Sequence, residues 1–217
     1  MDIQFYGANC ISLTIGGARI VIDDTLADMG GRTVIKSGDV ALFTQARENK
    51  NEQATVDTKL TIDRPGEYEV SDISIYGIPA RAHMDEDTQK SSKGNTATMY
   101  KIIAKDLRIL ITGHIYPKLK ESDLEQIGTI DVMIVPVGGN GYTTDPVGAL
   151  ELIKKVEPKL VIPTFYADDK LTYPVPAKTL DEALQGLGME PKERTGKLKL
   201  KHGDLTDDTQ LIVVEKQ

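Results

Sequence analysis

DVMIVPVGGNGYTTDPVGALELIKKVEPKLVIPTFYA, residues 131–167, is the stretch on which the fold turns. After Asp131 the run DVMIVPV (131–137) is continuously apolar, the pattern of a strand covered on both faces. DPVGALELIKKVEP (145–158) reads as a helix: Asp145 suits the N-cap, Pro146 the first helical position, and Pro158 stops it. Glu151 and Lys155 lie four apart and can pair on its outer face. KLVIPTFYA (159–167) returns to strand. Strand, helix, strand in that order argues an α/β architecture. The linking PVGGNG (136–141) is glycine-rich but lacks the spacing of a phosphate-cradling loop, so it reads as a tight connection.

Outward from this unit the pattern changes. Toward the C-terminus, TLDEALQGLG (179–188) is a helix ending at glycine, and KLKLK with QLIVVEK form a closing pair of strands. ESDLEQIG (121–128) is a short helix with Glu121 or Ser122 near its start. The first half is written in short β-type runs bounded by Gly, Asp or Asn: IQFYG, CISLTI, ARIVIDD, VALFT, KLTID and EYEVSDISIYGI. Gly16-Gly17 marks a hairpin, because both central residues of its turn need positive φ. TATMYKIIA and LRILIT pair through a turn at Lys105-Asp106. Residues 46–58 and 84–95 are polar loops that follow strand ends, where sites are commonly built.

The 217 residues suit a single domain, 1–217, around one sizeable core. A net charge of −7 opposes the phosphate-backbone contacts of a basic nucleic-acid reader, so no nucleic-acid partner is expected. One cysteine, Cys10, excludes an internal disulfide and suits a reducing compartment; its strand context suggests packing. The N-terminal stretch lacks the pattern of a signal peptide and no apolar run approaches a bilayer's thickness. A cytoplasmic protein with no membrane partner is the expectation.

The blocks FYGANC, GARIVIDD, DVALFTQ, DRPGEYEV, GIPARAH, GNTATMYKI, RILITGH, IDVMIVPVGG and KLVIPTFYA, in that order, resemble the metallo-β-lactamase superfamily. PGEYEV (65–70) and PVGG followed by a helix and VIP point to the branch of small metal-dependent hydrolases related to ascorbate-6-phosphate lactonase. The resemblance implies an αββα sandwich, two mostly antiparallel sheets with outer helices. It also implies a site at one edge, where Zn²⁺ or Mn²⁺ lowers the pKa of a bound water to about 7.

The ligand positions implied by the resemblance are largely replaced. The family's His-x-His-x-Asp-His motif aligns with Gln45-Ala46-Arg47-Glu48-Asn49-Lys50. Its Gly-Asp aligns with Gly113-His114, its final histidine with Phe165, and the histidine of its N-terminal Gly-His with Ala8. His83 corresponds to a family histidine, and Asp23 to an aspartate that supports the site. Arg47 and Lys50 offer no lone pair, and phenylalanine cannot ligate. His83 and His114 are left as weak candidates for a metal, with Glu48, Asp85, Glu86 or Asp87 as oxygen donors whose convergence the spacing does not show. His202 reads as a surface residue.

Two readings of Arg47 and Lys50 stand: solvated loop charges, or a site for a phosphate or carboxylate with Tyr166 and Tyr142 as walls. The expected function is accordingly a catalytically degenerate sandwich, without a standard di-metal site or resident cofactor, that binds a small anion or a protein partner at the former active-site edge. The alternatives are a phosphoester or lactone hydrolase with a rearranged single Zn or Mn, and a structural homo-oligomer subunit.

Overall fold

The computed structural model of the chain describes residues 1–45, 57–83 and 96–217. Two sheets face each other across one core. The smaller holds β1 (Asp2–Gly7), β2 (Cys10–Ile15), β3 (Ala18–Ile22), β4 (Val40–Leu42), β5 (Leu60–Ile62) and β13 (Leu198–Lys199), in the order β13-β1-β2-β3-β4-β5. The larger holds β6 (Gly66–Val70), β7 (Ile73–Arg81), β8 (Thr96–Ala104), β9 (Leu107–Ile111), β10 (Val132–Pro136), β11 (Leu160–Thr164), β12 (Glu193–Thr195) and β14 (Gln210–Val214). Its order is β12-β14-β11-β10-β9-β8-β7-β6.

Alternation builds the core. Ile11 and Leu13 of β2, Ile20 and Ile22 of β3, and Leu42 of β4 meet Ile75, Tyr100, Ile102, Ile109 and Ile134 from the larger sheet. Burying each such side chain contributes about 1.5–3 kcal/mol before conformational entropy is counted. The opposite face of the larger sheet packs on α1 (Glu121–Ile127), α2 (Pro146–Val156) and α3 (Leu180–Leu187). Strand β10 shows why its sequence is unbroken: Val132 and Ile134 enter the inter-sheet core, while Met133 and Val135 lie under the helices.

The local signals act as read. The Asp145 carboxylate accepts from Gly148 N at 2.7 Å, and Glu157 closes α2 in the left-handed region before Pro158. Gly16 and Gly17 both have positive φ, as does Lys105 in the β8–β9 turn. Two expectations are corrected. Among the described residues strand directions are evenly mixed rather than mostly antiparallel, with six antiparallel and six parallel pairings between named strands. KLKLK and QLIVVEK do not pair with each other: β13 joins β1, whereas β14 lies parallel to β11 and β12. Burial on both faces decides it. Ile212 and Val214 fill the inter-sheet core while Leu211 and Val213 face the helix layer, so β14 needs neighbours within the larger sheet.

Candidate functional site

At one edge of the sandwich four strand ends are bound together by short polar side chains. Asn9 lies in the β1–β2 turn, Asp23 follows β3, Thr44 follows β4, and Thr164 ends β11. Asp23 accepts hydrogen bonds from Thr44 N at 2.7 Å, Thr44 Oγ1 at 2.6 Å and Asn9 Nδ2 at 2.6 Å. Thr164 Oγ1 donates to Asn9 Oδ1 at 2.6 Å, which ties the larger sheet to the smaller. All four residues are buried. Desolvation raises the Asp23 carboxyl above its ordinary value, opposed by the donors from Thr44 and Asn9. Thr44 also sets the approach of the next loop: a Cβ on Gly113, at φ +59°, would lie 2.3 Å from Thr44 Cβ.

Upon this frame stands an aromatic cluster. Phe165 is fully buried at φ +53°, a backbone conformation that L side chains rarely adopt, and its N–H donates to Ala8 O at 2.6 Å. Its ring centroid lies 5.1 Å from His114, 5.6 Å from Tyr142 and 4.9 Å from Tyr173. His114 meets Tyr142 at 5.1 Å, edge-on as its contact with Phe165 is. Ala8, at φ +47°, donates its N–H to Tyr173 Oη at 3.1 Å, and that hydroxyl donates to Tyr166 O at 2.9 Å. Cys10, Val21, Leu26 and Met29 complete the apolar surround, so Cys10 packs as its context suggested. Burial pushes its thiol pKa up, away from the nucleophilic thiolate.

His114 is buried to 7 % exposure, and its Nδ1 has no hydrogen-bond partner among the described residues. Desolvation, assisted by the nearby His83, lowers its pKa to about 4. His83 is half-buried; its N–H donates to His114 O at 2.8 Å, and its Nδ1 lies 3.0 Å from Gly141 O. A carbonyl only accepts, so Nδ1 carries the hydrogen and Nε2 is the basic nitrogen of the neutral ring. The His83 ring lies 6.0 Å from Tyr116, whose face is covered by the Arg81 guanidinium at 4.4 Å.

A pH dependence follows. The unfolded imidazole titrates near 6.5 and the folded one near 4, so protons bind preferentially to the unfolded chain between those values. The stability contributed by neutral His114 is complete above pH 6.5 and is lost as pH falls toward 4, by roughly 3 kcal/mol in all. Thermal melts of the wild type and His114→Leu at pH 7.5 and 4.5 measure this: the variant loses less stability on acidification. Equal losses contradict it.

Several of the expected site residues that are described come together. His83, His114, Phe165 and Ala8 share one edge, and Gln45 lies next to Thr44, bridged to Ala97. Tyr142 belongs to the cluster, but Tyr166 does not stand with it as a cleft wall; its ring packs on Phe5 at 5.4 Å, at the inter-sheet core. Arg47, Asn49 and Lys50, with Glu48, Asp85, Glu86 and Asp87, lie outside the described residues. Sequence reasoning found Asp23 but missed Asn9, Thr44, Thr164 and Tyr173. The visible signal is slight, a single polar residue where each apolar run ends.

The residues present fit a metal poorly. Neither the Phe165 ring nor the Ala8 methyl offers a lone pair. Among the described residues no group of three or more His, Cys, Asp or Glu side chains could hold an ion. A structural zinc wants four protein ligands and a catalytic zinc three.

A model of the beta-lactamase superfamily domain matches residues 2–165. The chain belongs to this superfamily. Solved structures share the sandwich. A proposed Zn-dependent hydrolase of the metallo-β-lactamase superfamily from Thermotoga maritima superposes with a TM-score of 0.73 at 24 % identity, covering 100 % of this chain and 99 % of that one. A proposed metal-dependent hydrolase from Parabacteroides distasonis gives 0.64 at 17 % identity, with 99 % and 93 % covered. The metallo-β-lactamase fold protein YhfI from Bacillus subtilis gives 0.58 at 10 % identity, with 99 % and 96 % covered. A search of curated proteins finds no match. These likenesses establish the sandwich fold, and the α-helices α1, α2 and α3 fall on the face of its larger sheet.

Proposed function

We propose that this chain is a metallo-β-lactamase-fold protein whose metal centre has been replaced by an aromatic cluster, and that it serves as a binding protein at that edge. The observation that supports this is Phe165. Its ring, fully buried and edge-on to His114, stands at a position where the resemblance calls for a ligating imidazole. Such a cluster contributes packing energy: aromatic pairs at these separations are worth about 0.5–1.5 kcal/mol beyond burial alone. The frame around Asp23 survives because it joins strand ends, a task independent of any ion. What the edge binds is a small anion or a protein partner, with Arg47 and Lys50 as the anion-contacting residues.

A second reading has one observation in its favour. The buried Nδ1 of His114, without a partner among the described residues, is in the state of a nitrogen that would ligate, and a single Zn or Mn shared with His83 would satisfy it. Metal analysis separates the two. Purified without chelator and then dialysed against excess Zn²⁺ or Mn²⁺, the wild type should retain metal far below one ion per chain, indistinguishable from a His83→Ala, His114→Ala double variant. One ion per chain that the double variant loses would overturn the first reading. A melting shift with inorganic phosphate, abolished by Arg47→Ala with Lys50→Ala, supports the anion arm; a shift unchanged in that variant refutes it.

A further inference from the structure

The opposite end of the sandwich holds a cleft that the edge site does not use. Ile15 ends β2, Ala104 ends β8 and Leu107 begins β9, all at the ends remote from Asp23 and His114. With Leu200 they floor a cleft of about 290 Å³ between the sheets. The floor is apolar and otherwise part of the inter-sheet core.

The rim is cationic. Two lysines, Lys105 and Lys201, line it beside the His202 ring against a single acid among the described residues, Asp106, in a chain whose net charge is −7. The turns that carry these residues are held in place. Lys105 sits in the left-handed region at φ +56°, and Lys201 N donates to Asp204 Oδ2 at 2.8 Å. His202 Nε2 stands 4.0 Å from Asp131, itself paired with Arg108 at 2.8 Å. Neither lysine side chain forms an ion pair among the described residues. A Cβ built on Gly16 or Gly203, which also line the cleft, would meet no atom within 4 Å, so both walls stand clear of neighbouring atoms.

We infer that this distal cleft binds a small organic carboxylate with a short apolar body. The apolar floor takes the body, and the two ammonium groups take the carboxylate through charge-assisted hydrogen bonds. The volume is at the small end of ligand pockets and sets the size to roughly ten heavy atoms. A bare inorganic anion would leave the floor uncovered, and a neutral alcohol would leave the lysines unused. Both features are needed.

Hexanoate is a suitable probe, with hexanol and inorganic phosphate as controls, read by heteronuclear NMR shifts on the whole chain. Hexanoate should move the amides of residues 15–17, 104–107 and 200–203 with a Kd on the order of 1–10 mM, as expected for eight heavy atoms. Hexanol and phosphate should each bind at least several-fold more weakly. Lys105→Gln with Lys201→Gln, both exposed positions, should weaken hexanoate roughly tenfold and leave hexanol unchanged. Asp106→Asn should tighten it. No shifts at these residues, or a hexanoate affinity equal in the double variant, would overturn the proposal.

Discussion

Phe165→Ala should cost about 3–5 kcal/mol of folding stability, the range for removing a fully buried phenylalanine. For a chain of this length that lowers Tm by roughly 8–15 °C, read by calorimetry at pH 7.5. The loss has two parts. The ring leaves a hole between His114, Tyr142 and Tyr173, and one edge-on, one stacked and one tilted contact disappear with it. The backbone does not change its demand: at φ +53° alanine keeps a left-handed cost of about 1–2 kcal/mol that glycine does not carry. Phe165→Gly should therefore be no less stable than Phe165→Ala, the reverse of the usual order for the two residues. A loss below about 1 kcal/mol, typical of an exposed position, would show that the cluster is not a packed core.

Asp23→Ala should be comparably severe, about 3–5 kcal/mol, for a different reason. It strands three buried donors at once: Thr44 N, Thr44 Oγ1 and Asn9 Nδ2. Each buried group left unpaired costs about 1–3 kcal/mol. Asp23→Asn keeps the volume but turns an amide N–H₂ toward a donor, so its loss should fall between alanine and wild type. Chemical denaturation at pH 7.5 orders the three. An alanine variant within about 0.5 kcal/mol of wild type would mean the frame carries no load. The raised carboxyl acts in the opposite sense to His114: the folded state holds its proton more tightly, so the proton-linked part of Asp23's contribution is full below pH 3.8 and falls as pH rises through the higher folded value, while the three donors still need their acceptor at pH 7.5.

Much of the sandwich was legible before any coordinate. Continuous apolar runs such as 132–137 must be covered on both faces, and Asp145, Pro146 and Pro158 bound a helix by local chemistry alone. The misreading of the closing strands had the opposite origin. KLKLK and QLIVVEK both alternate in a manner that suits a strand, but pairing is a long-range choice that no local pattern records. The candidate site divides in the same way. That phenylalanine cannot ligate is a property of the residue. Where Phe165 points is set by a left-handed backbone held by Ala8 O, a contact across 157 positions of sequence.

By itself, then, the sequence determined residue chemistry and the short-range elements, because capping, turn conformation and apolar periodicity act over a few neighbouring residues. It also determined that the side chains of Ala8 and Phe165, which the resemblance aligns with family histidines, offer no lone pair to a metal. Only the tertiary structure decided that these two positions meet, that Tyr142 packs on His114 and Tyr173 on Phe165, and that Asn9, Asp23, Thr44 and Thr164 form one buried frame. Each of those contacts joins strand ends or the loops that follow them, and these come together only once both sheets have closed over a common core.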